Sequence, residues 1–209
     1  MIDLNKLFNL YYGWWKNIDK FILFLILFLF SLGLFFSLVS TSIIASDKLN
    51  TNTYYFFIKH LLFFILGVFI LITFSAIDKG RLFQISKYLF IIFFIFLALV
   101  PFIGIEVKGS MRWIDLPLIP RFQPIEILKP FLIIMISTIF TLNNQKHLYF
   151  KYLFSFLIIF PVILFLVSQP DLGQTILIVL TWFSLIFVSG INLLYFLGFF
   201  ILTFSILFY

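Results

Sequence analysis

Residues 21–42 read FILFLILFLFSLGLFFSLVSTS, an unbroken stretch without a single charge. A helix rises 1.5 Å per residue, so a run of this length matches the roughly 30 Å hydrocarbon core of a bilayer. It predicts a membrane span.

Further runs of the same kind follow on its C-terminal side. The spacing predicts spans near 20–44, 54–77, 87–104, 125–142, 149–167, 174–190 and 193–209, the third, sixth and seventh at the short end of the range. The chain is 64% hydrophobic and only 11% charged, with a mean hydropathy of +1.21, and no water-soluble domain of 209 residues has the interior to hide so much apolar surface. The expected fold is an all-α polytopic membrane protein of about seven transmembrane helices. No linker, low-complexity tract or repeat interrupts it, so residues 1–209 read as a single membrane domain. Residues 1–19, with Lys6 and Lys16 inside them and Lys20 next, carry the amphipathic NLYYGWW and read as a retained interfacial lead-in, since no small-residue cleavage pattern follows the first span.

Basic residues in short loops set the expected orientation. With the N-terminus in the cytoplasm, Lys6, Lys16, Lys20, Lys79, Arg81, Lys87, Lys146 and Lys151 lie inside, and Lys48, Lys59, Lys108, Arg112, Arg121 and Lys129 lie outside. The net charge of +6 is dispersed between spans and forms no stripe, which argues against nucleic acid and for membrane lipids as partner. The absence of cysteine excludes disulfides and thiolate metal sites. There is no glycine-rich phosphate loop, nucleophile elbow or paired-histidine metal motif. His147, in NNQKH, reads as part of a cytoplasmic turn, whereas His60 stands beside Lys59 at the outer end of the second span.

Two polar islands break the apolar text on the outer side. The first, IEVKGSMRWIDLPLIPRFQPIEILKP (105–130), concentrates charges beside a bilayer, where charge is expensive. Gly109 and Ser110 favour a turn, Pro117 and Pro120 forbid a continuous helix, and Trp113 suits the headgroup level, so 105–124 is expected to fold back along the membrane surface as a periplasmic loop. Pro124 then opens the fourth span, with Glu126 in the first turn, where the helix dipole favours an anion. Lys129, three residues on, shares its face. Two readings fit: a solvated ion pair at a helix start, or the wall of a watery cavity in which Arg112 and Lys129 bind a phosphate-bearing substrate. The second island, SQPDLGQT (168–175), contains Asp171 three residues before Gln174, the spacing of a capping box for the sixth span. Asp171 thus reads either as a cap alone or as a member of a shared outer cavity.

GSMRWIDLPLIPRFQPIEILKP (109–130) resembles the segment that opens the fourth span in the FtsW/RodA (SEDS) family of peptidoglycan glycosyltransferases, and SQPDLGQT resembles that family's second motif. FILFLILFLFSLGLFFSLVSTS and FFIKH (56–60) are similar too, with less specificity. RWIDLP, PRFQPIE and QPDLGQT read closer to the division-type FtsW branch than to the elongation-type RodA branch. The resemblance implies the N-terminal part of a ten-helix fold in the bacterial inner membrane, at the septum. The implied activity joins the disaccharide of one lipid II to another at the periplasmic face, with undecaprenyl pyrophosphate as leaving group. It implies a class B penicillin-binding transpeptidase and other divisome membrane proteins as partners, and a divalent cation, Mg or Mn, for which no ligand spacing in the sequence gives independent support.

On matching positions, Arg112 and Lys129 are the expected contacts to pyrophosphate, Glu126 and Asp171 orient them, and Lys59 and His60 are weaker candidates on the same side. The family's presumed catalytic acid lies in an outer loop after span seven. It is expected beyond Tyr209, and neither Asp115 nor Asp171 matches it, so the 209 residues are expected to be a truncated product or fragment, or to have the remaining half supplied by another chain, and in either case to be inactive alone. A lipid II flippase and a non-catalytic divisome scaffold are the alternatives. Ionisable residues through the full membrane depth would favour the first, and here they concentrate near one surface.

Overall fold

Asp19 fixes the start of helix α1 (Lys20–Phe36): its carboxylate accepts from the N–H groups of Phe21 at 2.9 Å and Ile22 at 3.1 Å, two donors that a helix start otherwise leaves unpaired. The computed structural model describes residues 12–41, 54–107, 109–117, 119–141, 148–192 and, beyond them, 194, 196–198, 200, 201 and 205. The chain forms two compact units, Met1–Asp78 and Lys79–Tyr209.

In the first unit α1 runs into a π-helical turn, Ser37–Thr41, and is followed by α2 (Tyr55–Ser75). The Phe30 and Phe64 rings meet edge-on at 6.0 Å, and Gly67 makes room for them, since a Cβ there would stand 3.2 Å from the Phe30 ring. Residues 12–17 are helical, Trp14 Nε1 donates to Ser75 Oγ at 2.8 Å, and the Lys20 ammonium lies over the Trp15 ring. Neither α1 nor α2 buries a residue. Two largely apolar helices, with Lys59 and His60 confined to the first turns of α2, suit a lipid surrounding in which every backbone group is satisfied within its own helix.

The second unit contains α3 (Lys79–Ile103), three strands, α4 (Pro124–Thr141), α5 (Leu148–Ser168) and α6 (Leu172–Val188). Among the described residues of the whole chain, five helices are long and apolar enough to cross a membrane, and α6 is a shorter apolar helix. The third span starts at Lys79 instead of 87: its first turns hold Lys79, Arg81, Gln84 and Lys87, which fit a helix well but lower its hydropathy. The seventh expected span, and His147, fall largely or wholly outside the described residues.

Helix α4 is the centre of this unit, touching α3, α5 and α6. Ile125, Leu128, Leu132 and Ile136 form its buried stripe at helical spacing. On α6, Ile178, Val179, Trp182 and Ile186 do the same. The Trp182 indole N–H, buried between α5 and α6, donates to Ser155 Oγ at 3.0 Å. Lys151 of α5 donates to the Phe140 carbonyl at 3.2 Å, placing a cation at the negative end of the α4 dipole.

Between α3 and α4 the segment expected to fold back as a loop makes an antiparallel meander: β1 (Ile105–Val107), β2 (Ser110–Leu116) and β3 (Ile119–Phe122), in that order. Val107 pairs with Ser110 across a two-residue turn in which Gly109 takes a φ of 82°, a left-handed conformation that costs glycine little. Pro120 is tolerated because β3 is an edge strand, and Pro117 lies in the turn before it. Side chains alternate along β2, so that Met111, Trp113 and Asp115 are exposed while Arg112 shares the inner face with fully buried Ile114. This alternation turns Arg112 toward the helix ends.

Candidate functional site

The buried carboxylate of Asp171 is the anchor of the site. It lies at the N-cap of α6, 5% exposed. One oxygen accepts from the Gln174 N–H at 3.5 Å, and Arg112 Nη1 stands 3.5 Å from the same oxygen. The other accepts from Gln123 Nε2 at 2.9 Å. Asp171 therefore caps a helix and pairs with a cation in one position. The reciprocal half of a capping box is not formed: the Asp171 N–H donates to Leu166 O at 3.0 Å, which frees the Gln174 side chain for another use.

That use is a closed triangle with α4. Gln174 Nε2 donates to Glu126 Oε1 at 2.6 Å, Lys129 Nζ donates to Gln174 Oε1 at 2.9 Å, and Lys129 stands 2.7 Å from Glu126 Oε2. The i,i+3 spacing puts Glu126 and Lys129 on one face, and α6 presents Gln174 to both. Lys129 is mostly buried and Glu126 about half exposed, so the pair is partly sheltered from water.

Arg112 closes the other side. Its Nε donates to the Gln169 carbonyl at 3.3 Å and its Nη2 to the Pro170 carbonyl. With the Asp171 ion pair these contacts engage one N–H on each nitrogen, and a guanidinium carries five. Its side chain remains 30% exposed. Arg112, Asp171, Gln174, Glu126 and Lys129 thus form one network across β2, α4 and α6, two cations matched by two carboxylates.

The structure brings together four of the six residues expected from the sequence. Lys59 and His60 lie on α2 in the other unit, exposed and outside this network. Gln123, Gln169 and Gln174 were not anticipated. The one sequence signal for Gln174 was its capping-box spacing, and for Gln123 its place before Pro124. A second exposed ion pair, Arg121 Nε to Asp115 Oδ2 at 2.7 Å, ties β3 to β2 on the outer side of the meander.

The divalent cation implied by the resemblance does not fit this donor set. Glu126 and Asp171 are each occupied by a cation and an amide, and among the described residues no group of three or more His, Cys, Asp or Glu side chains converges.

A family profile described as cell cycle protein FtsW/RodA/SpoVE matches residues 20–209. A probable peptidoglycan glycosyltransferase FtsW of Wigglesworthia glossinidia brevipalpis is 30% identical over 177 residues, 84% of this chain and 46% of that protein. The FtsW name agrees with the division-type reading of RWIDLP, PRFQPIE and QPDLGQT. The crystal structure of Thermus thermophilus rod shape determining protein RodA superposes with a TM-score of 0.61 at 24% identity, over 83% of this chain and 58% of that one. A chain of a peptidoglycan synthase complex superposes with a TM-score of 0.63 at 24% identity, over 83% of this chain and 52% of that one. The likeness to these two structures is one of fold, and this chain spans about half the length of the curated relatives it matches. The chain belongs to the FtsW/RodA/SpoVE family of cell cycle proteins.

Proposed function

We propose that this chain carries the lipid II site of a septal, FtsW-type peptidoglycan glycosyltransferase of the bacterial inner membrane, with the N-terminus in the cytoplasm and the site at the periplasmic face. One observation carries the reading: Arg112 and Lys129, from a strand and a helix, converge on a single bonded network at the polar end of an apolar bundle.

In the reaction a sugar hydroxyl attacks the anomeric carbon of a lipid-linked disaccharide, its proton passing to a base that the residues of this site do not supply, and the bond to undecaprenyl pyrophosphate breaks. Negative charge grows on the departing phosphate, where fixed cations are most effective. Arg112 offers a planar fork and Lys129 a point charge. Each is held in place by a carboxylate, so a phosphate enters by exchange, replacing Glu126 at Lys129 or Asp171 at Arg112. Both carboxylates are committed to these cations and orient them; neither is assigned the role of general base. Class B penicillin-binding transpeptidases and other divisome membrane proteins are the proposed partners, supported by a fold neighbour that belongs to a peptidoglycan synthase complex.

The charges lie at one end of α4, and the described remainder of α4 and α6 holds no ionisable residue. That favours a fixed site at one face over a headgroup path through the membrane. In lipid nanodiscs the protein is expected to bind lipid II and undecaprenyl pyrophosphate, and residues 1–209 alone to bind without synthesising strands. Alanine at Arg112 or Lys129 removes a charge-assisted contact and weakens binding about tenfold or more. Alanine at Glu126 or Asp171 weakens it less. Unchanged affinity in all four variants would leave these residues with capping and ion pairing alone.

A further inference from the structure

Pro101 lies inside α3, two residues before its end. Proline has no N–H, so it offers no donor to the carbonyl of Leu97, the acceptor that residue 101 of a regular helix would serve. Leu97 is wholly buried, where an unpaired carbonyl is unfavourable. The Gln169 side chain supplies the donor: its Nε2 reaches Leu97 O at 3.3 Å, and the residue is 4% exposed. Just past the end of α3, the Gly104 N–H donates to Val100 O at 2.8 Å, and a Cβ there would collide with that oxygen.

The same Gln169 presents its own carbonyl to Arg112 Nε, its neighbour Pro170 presents a second to Arg112, and Asp171 follows with the ion pair. One amide therefore fastens to α3 the three residues on which Arg112 is seated. We propose that Gln169 is a positioning residue of the polyprenyl pyrophosphate site, holding segment 169–171 and with it Arg112 through the carbonyl that Pro101 leaves open. The assignment rests on the reading given under Proposed function. It requires a donor at the end of a side chain of this length; a glutamate would set a carboxylate against a carbonyl.

Satisfying a buried carbonyl and positioning Arg112 are separable, because an alanine at 101 restores the N–H that Leu97 lacks. The test compares the unsubstituted protein, Gln169→Leu, Pro101→Ala and the double variant in nanodiscs, reading undecaprenyl pyrophosphate affinity and thermal unfolding on the same samples. Gln169→Leu is expected to lower the unfolding temperature and weaken affinity about tenfold, the scale of one lost hydrogen-bonded anchor. In the double variant the unfolding temperature recovers while the affinity stays weak. This comparison holds even where Gln169→Leu alone does not fold. Affinity that survives Gln169→Leu, or that recovers with stability in the double variant, overturns the proposal and reduces Gln169 to a partner for Leu97. No binding by the unsubstituted protein would overturn the site itself and the proposal with it.

Discussion

Asp171 shows how one side chain serves two ends. It caps α6 and neutralises Arg112, and its burial means that removing it strands a cation instead of merely loosening a helix. Asp171→Ala is expected to destabilise the protein by roughly 2 kcal/mol, below the full penalty of a broken buried pair because Arg112 keeps access to water. Asp171→Asn, which keeps the cap acceptor but sets an NH2 against the Gln123 Nε2 donor, should cost less than Asp171→Ala, as read by thermal unfolding. The four charged members of the network could be read from the sequence because charge next to a long apolar run is conspicuous. The amides could not. Gln123, Gln169 and Gln174 carry no compositional signal, and what recruits them is tertiary: a buried carboxylate, an orphaned carbonyl and an ion pair reached from a neighbouring helix.

Among the elements, hydropathy located the spans of the described helices because a bilayer leaves little choice of what can cross it. It misplaced the start of α3, whose first two turns are polar, and it was silent on the meander. There the alternation along Ser110–Leu116 and the turn at Gly109 were present in the text, and Pro117 and Pro120 excluded a continuous helix without announcing the strands. Gly109→Val should disrupt the β1–β2 hairpin at a cost of about 1–2 kcal/mol, since a β-branched residue resists positive φ. Weakened undecaprenyl pyrophosphate binding in that variant would show that the meander, and not α4 alone, holds Arg112 in place.

Where α5 crosses α6, Ser155→Ala leaves the buried Trp182 N–H without its acceptor, with an expected loss of about 1–3 kcal/mol. Combining it with Trp182→Phe should cost clearly less than the sum of the two single changes. A strictly additive cycle would mean that this bond contributes nothing of its own.

The whole molecule is one in which orientation decides meaning. Lys79 begins α3 and the meander follows its far end, so two exposed positions, Lys79 and Met111, flank a single 25-residue helix. The chain has no cysteine, so a single introduced one gives an unambiguous signal. A membrane-impermeant maleimide added to intact spheroplasts is expected to label Met111→Cys and to spare Lys79→Cys. The reverse pattern would place the polar network in the cytoplasm and remove it from the face on which the proposed function needs it.

The exact match of two cations by two carboxylates has a kinetic corollary. Balanced charges project little field past a Debye length, about 10 Å at 0.1 M salt, and a site without a far-reaching field does not draw its ligand from a distance. Under the proposed function, a lipid-borne substrate would then arrive by wandering in the plane of the bilayer, so its capture rate should hardly change between low and high ionic strength. On that reading, traffic through the site would be set by the supply of lipid in the membrane around it.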